Sequence, residues 1–112
     1  MSAVHLITGA TGLLGSHLAE QLRAAGEQVR ALVRPRSDAR LLRGLGVELV
    51  AGELGDRSAL DRACAGADVV YHAAARVGDW GPWEDFRRDT VEGTRSVAEA
   101  CIAAGVRRLI AI

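Results

Sequence analysis

Five short apolar runs alternate with longer amphipathic stretches along the chain, and that alternation leaves few folds open. Residues 3–8 (AVHLIT) are a compact apolar run that stops at a glycine, the pattern of a buried strand. Leu14, Leu18, Leu22 and Ala25 recur at helical spacing, which predicts an amphipathic helix over residues 13–25 that Gly26 ends. Residues 28–33 predict a second strand, residues 38–44 a short helix capped by Ser37, and residues 47–51 a third strand. Asp56 is placed to cap a helix running to about Cys64. Residues 68–72 (DVVYH) predict a fourth strand. Residues 73–84 hold Gly78, Gly81 and Pro82 without periodicity and predict a loop. Residues 86–104 predict the longest helix, stopped by Gly105, and residues 107–112 a fifth strand. Strands and helices at this spacing imply βαβ units, hence an α/β fold with a parallel sheet and helices on both faces. Right-handed crossovers leave the doubly wound order 3-2-1-4-5 as the simplest topology. No internal repeat, low-complexity tract or linker breaks residues 1–112, so a single domain is expected.

Composition narrows the partners. The chain has no lysine, and its fourteen arginines balance fourteen acidic residues, so nothing electrostatic argues for nucleic acid or an acidic membrane. No window reaches the roughly 20 apolar residues of a membrane span, and no basic segment precedes an apolar one as in a signal peptide. Cys64 and Cys101 lack CxxC spacing and read as buried free thiols, which suits a reducing cytoplasm. His5 and His17 have no metal-ligand spacing and read as packing residues.

The sharpest local signal is Thr8-Gly9-Ala10-Thr11-Gly12-Leu13-Leu14-Gly15, where the first strand meets the first helix. The carboxyl end of a parallel strand opens into a crevice, and the next helix aims its unpaired N–H groups there. A pyrophosphate in that crevice is stabilised by those donors and by the helix dipole. Gly9 permits the tight turn, Gly12 lets backbone approach phosphate, and Gly15 lets the helix sit close on the sheet. The strand before and the helix after give these glycines a meaning a lone triplet would lack.

The spacing is G-x-x-G-x-x-G. From TGATGLLGSHL onward, ALVR closes strand two, AGELGD follows strand three, DVVYHAAA forms strand four and VEGTRSVAEACIAAGVRRLIAI ends the chain. In that order the chain resembles the extended short-chain dehydrogenases/reductases, the NAD(P)-dependent epimerase/dehydratase group. Within that group it is most similar to the dihydroflavonol-reductase-like and sterol-dehydrogenase-like branches. The resemblance implies a Rossmann-type NAD(P)-binding fold, here truncated after strand five. It implies cofactor contacts from Gly9, Thr11, Gly12, Leu13, Leu14 and Gly15 in the turn. It implies others from Glu53-Leu54, which stands where the family has Asp-Leu against the adenine. The longer glutamate leaves two readings open, an adenine contact and a side chain in water. His72, Ala73, Ala74 and Ala75 resemble the loop that passes beneath the adenosine and nicotinamide ribose, with His72 as a structural member rather than a base. Thr90 stands where the family has asparagine and loses that amide's paired donor and acceptor. Trp80 and Trp83 fall in the loop over the cofactor mouth, either lining a hydrophobic substrate pocket or capping the core edge.

An acidic residue at the end of strand two normally holds the adenosine ribose and repels a 2′-phosphate. Here that place is Arg34, with Arg36 beside it and no carboxylate before Asp38, which favours NADP(H) over NAD(H). The family's reaction uses a tyrosine, a lysine four residues later and a serine or threonine. Tyr71 is followed at that distance by Ala75, and the chain ends inside the fifth strand. The cofactor half is therefore expected without the catalytic half, and the isolated chain is expected to be catalytically silent. Two functions fit: the NAD(P)-binding portion of an oxidoreductase or epimerase acting on a small-molecule substrate, or a non-catalytic NAD(P)-binding sensor or interaction module. The apolar run at residues 109–112 also predicts self-association through an unpaired strand-five edge.

Overall fold

The computed structural model describes residues 3–73 and 83–112, the side chains of residues 83–91 excepted. In chain order the elements are β1 (Val4–Thr8), α1 (Leu13–Ala24), β2 (Gln28–Val33), α2 (Arg40–Gly44), β3 (Glu48–Ala51), α3 (Arg57–Cys64), β4 (Val69–His72), α4 (Trp83–Ala104) and β5 (Arg108–Ala111). The sheet runs β3-β2-β1-β4-β5 and every ladder is parallel, as the alternation requires. In β1, Leu6 enters one apolar layer with Leu60, Val70 and Val97 from α3, β4 and α4, while Ile7 enters the other with Ala19, Val29 and Leu42 from α1, β2 and α2. Both faces of β1 are covered, which is why its sequence is apolar almost without break. β5 lies at the edge of the sheet, as the strand order predicts, and with Leu109 37% exposed and Ile112 56% its apolar run is not covered on both faces.

Two arginines finish helices that are distant in sequence. Arg23 donates from Nε to the Leu45 carbonyl at 2.8 Å, at the end of α2, and from Nη1 to the Glu27 carbonyl at 2.9 Å. Arg30, on β2, donates from Nη1 to the Ala63 and Ala65 carbonyls at 2.7 and 2.6 Å, at the end of α3, and from Nε to Glu48 at 2.8 Å. A cation at a helix C-terminus satisfies the last carbonyls and opposes the negative end of the dipole.

Three expectations are corrected. Ser37 does not cap the second helix. α2 begins at Arg40 after Ala39, which makes no side-chain cap, and the Asp38 carboxylate instead accepts the Arg40 N–H at 3.1 Å. Ser37 is used otherwise, its N–H donating to the Arg34 carbonyl at 3.0 Å. The fourth helix begins at Trp83 and not at Phe86, so Trp83 belongs to the helix and not to the loop. A proline directly before it and two acidic residues in the first turn are what favour that start. His17 is no packing residue: its side chain is 63% exposed on α1, 4.0 Å from Glu20. His5 is buried, with Nε2 3.3 Å from Glu27 and Nδ1 3.2 Å from the Tyr71 hydroxyl. Asp56 caps α3 as expected, accepting from the Ala59 N–H at 3.2 Å.

Cys64 and Cys101 are both buried and free. They meet between α3 and α4, where burial pushes the Cys101 thiol up to about 12. Among the described residues no helix is long and apolar enough to cross a membrane, and no cluster of His, Cys, Asp and Glu could hold a metal ion.

Candidate functional site

The order of the sheet reverses between β1 and β4, and a crevice lies outside the carboxyl ends of strands at such a point. The glycine turn sits there, and its three glycines answer to three different demands. Gly9 has φ +72°, a conformation that other residues adopt at a cost. At Gly15 a Cβ would overlap the Gly9 carbonyl oxygen and fall 2.8 Å from the Ala10 Cα, so only glycine lets α1 pack this closely on the turn. Gly12 is different. It has extended backbone at φ −76°, and a Cβ there would meet only the Gly9 carbonyl oxygen, at an ordinary 3.4 Å. Among the described residues nothing requires a glycine at this exposed position, so the missing side chain keeps clear a space outside them.

The start of α1 faces that space. Gly12 supplies no side-chain cap, and the first turn holds no acidic residue. Among the described residues the first-turn N–H groups therefore have neither an intrahelical nor a side-chain acceptor, and an anion is favoured in front of them. Thr11 is exposed beside the turn, and Leu13 and Leu14 are 80% and 55% exposed at the helix start.

A cleft of about 710 Å³ opens beside the ends of β2 and β3, lined by Arg34, Arg36, Ser37, Gly52, Glu53 and Asp56. That volume is within the range of small-molecule sites. Asp38, the nearest acid in sequence to the two arginines, is held by Arg40, whose Nη2 donates to it at 2.8 Å. The Arg40 guanidinium keeps the Asp38 carboxyl down at about 2. Among the described residues neither Arg34 nor Arg36 enters an ion pair, so two exposed guanidinium groups face the cleft with their charge unspent. Of the two acids in the lining, Asp56 is engaged as the α3 cap and Glu53 is exposed. Leu54 is turned inward, packed on the core and against α4, where a Cβ on Gly93 would come within 3.1 Å of its Cδ1.

His72 ends β4 with its ring buried. Its Nδ1 lies 2.8 Å from the Thr8 hydroxyl and its Nε2 3.2 Å from the Thr94 hydroxyl. Burial pushes the imidazole below its ordinary pKa, which favours its neutral form. The Ala73 N–H donates to the Thr8 carbonyl at 3.2 Å, so the exit of β4 lies directly beside the glycine turn. The structure thus brings Gly9, Gly12, Gly15, His72 and Ala73 together, with the arginine cleft beyond the end of the neighbouring strand. Ala74, Ala75 and Trp80 lie outside the described residues, as do the side chains of Trp83 and Thr90. Sequence reasoning missed Thr8 and Thr94 as partners of His72, since a threonine ending a strand and another inside a helix carry no local mark of the contact.

The sequence model of the NAD dependent epimerase/dehydratase family matches residues 5–112. The chain is 42% identical over 106 residues to Sterol demethylase protein B of Methylococcus capsulatus, covering 94% of this chain and 32% of that protein. It is 39% identical over 105 residues to the 2-alkyl-3-oxoalkanoate reductase of Stenotrophomonas maltophilia, covering 94% and 31%. The crystal structure of a short-chain dehydrogenase/reductase superfamily protein from Agrobacterium tumefaciens, with bound NAD, matches at TM-score 0.77 and 37% identity over 96% of this chain and 31% of that one. The chain spans about a third of the length of these relatives.

Proposed function

Since the chain belongs to the NAD dependent epimerase/dehydratase family, we propose that it is the dinucleotide-binding portion of an NAD(P)-dependent oxidoreductase with NADP(H) preferred. Gly12 carries this reading. The fold accepts a Cβ there, so the glycine serves something that approaches from outside, and the free N–H groups of α1 favour that something as an anion. Gly9, Gly12 and the start of α1 hold the pyrophosphate, Arg34 and Arg36 pair with a 2′-phosphate, and Glu53 and the backbone of Leu54 lie along the adenine. The loop from His72 through Ala75 supports the riboses. A bound nicotinamide supplies hydride exchange with a small-molecule substrate. A reducing, cytoplasmic setting belongs to the same reading and is supported by the two buried free thiols.

One observation favours the second reading, a non-catalytic NAD(P)-binding sensor or interaction module. The single tyrosine, Tyr71, packs on the α1 side of the sheet with its hydroxyl against His5, and the sequence has no lysine to stand beside it. A Tyr-x-x-x-Lys further along the same reading frame decides for the oxidoreductase.

Calorimetric titration with NADP(H) tests the binding itself. Gly12→Val places a branched side chain where the phosphate lies, so binding is expected to vanish while far-UV helicity persists. Equal affinities of the two proteins would remove the phosphate site.

A further inference from the structure

Of the segments assigned to the dinucleotide, the glycine turn and the exit of β4 meet at one buried ring, and Leu54 packs on the helix that the ring also reaches. Thr8 immediately precedes the Gly9 turn and pairs in register with His72 across the β1–β4 ladder. His72 immediately precedes Ala73, and its far nitrogen reaches Thr94 on α4, beside Gly93, whose backbone packs on Leu54. Thr8 is fully buried and His72 is 7% exposed. A neutral imidazole has one donor and one acceptor nitrogen, and a hydroxyl answers either, so two threonines satisfy both nitrogens in either tautomer. Removing one hydroxyl leaves a buried ring nitrogen without that partner, and a group in that state moves to find another.

We propose that the Thr8–His72–Thr94 bridge is a positioning device for the dinucleotide, holding α4 and the exit of β4 at a set distance from the glycine turn. The proposal rests on the dinucleotide reading above and deepens it: none of the three side chains need touch the ligand, and Thr94 acts through His72. A residue that only filled space would be replaced without loss by a side chain of the same shape. A residue that acts through its hydroxyl would be replaced only by another hydroxyl.

Thr94→Val keeps the shape and removes the hydroxyl, whereas Thr94→Ser keeps the hydroxyl and removes a methyl. Thr94 is only half-buried, so both variants are expected to fold, with far-UV circular dichroism as the control. Calorimetric titration with NADP(H) is expected to show affinity about threefold to tenfold weaker in Thr94→Val, the effect of one hydrogen bond, and restored in Thr94→Ser. Amide resonances of Gly9 and Gly12 in the ligand-free chain are expected to shift in Thr94→Val and return in Thr94→Ser. Unchanged affinity in Thr94→Val, with the wild-type chain binding normally, overturns the proposal and leaves the dinucleotide reading standing. A wild-type chain that binds no dinucleotide overturns that reading and the bridge's role in binding with it. Glycine amides that do not move in Thr94→Val overturn the bridge itself, whatever the ligand.

Discussion

Arg34 and Arg36 show how a neighbour's engagement sets a residue's chemistry. Asp38 would neutralise them if it were free, but Arg40 holds it, and the pair beside the cleft keeps its charge. Replacing Arg34 with Asp puts a carboxylate where the 2′-phosphate is proposed to lie. A charge-assisted contact is worth roughly 1.5–3 kcal/mol, so affinity for NADP(H) is expected to fall about tenfold to a hundredfold, with NAD(H) gaining relative to it. Parallel titrations with both cofactors measure this, and an unchanged ratio would place Arg34 in solvent. At this scale the sequence is legible where one residue meets one local demand. The turn at Gly9, the close packing at Gly15 and the cap at Asp56 each follow from a few neighbouring positions. It is illegible where partners come from far along the chain. Arg30 ends a helix thirty-three residues away, and His72 finds Thr8 sixty-four residues back, contacts that exist only once the sheet is assembled.

The helices divide in the same way. α3 is short and starts from its own cap, so that cap matters: Asp56→Ala is expected to destabilise the fold by about 1 kcal/mol. The lower midpoint in urea reports it, and a midpoint within error of wild type would mean that tertiary packing alone holds α3 in place. Its other end depends on Arg30 and, along its length, on α4, to which Arg57 pairs through Glu99 at 3.2 Å. The strong apolar periodicities of α1 and α4 and the strand runs are readable because burial of one face imposes them. The boundaries that went astray were polar ones. At α2, Ser37 and Asp38 both offered an oxygen, and Asp38 reached the helix N–H. At α4, the proline and the two acidic residues outweighed the lack of apolar spacing in the first turn.

Across the whole molecule the strand order follows from the alternation and the handedness of crossovers, so the topology was readable before any side chain was placed. The unpaired edge of β5 follows from that order too, whereas the exposure of its apolar side chains does not, because an apolar run looks the same whether or not something covers its faces. Leu109 and Ile112 are exposed there, and Arg107 and Arg108 guard only the start of the strand. Such an edge offers unpaired N–H and C=O groups to a second copy, so the 112-residue chain is expected to self-associate with rising concentration. Sedimentation over a wide concentration range should show that shift, and Ile110→Lys should suppress it. A monomer at high concentration, indifferent to the substitution, would mean the edge does not recruit. The all-parallel ladders have another consequence, for how fast the native state is reached. Strands that run the same way cannot zip from a hairpin: Val4 meets Gln28 only after a full crossover, and His5 meets Val69 only after the β2–β3 half has been traversed. Each pairing must close a long loop before it is rewarded, so the β1–β4 junction, where the glycine turn and His72 meet, is expected to be among the last parts to form, which low φ-values for substitutions there would show.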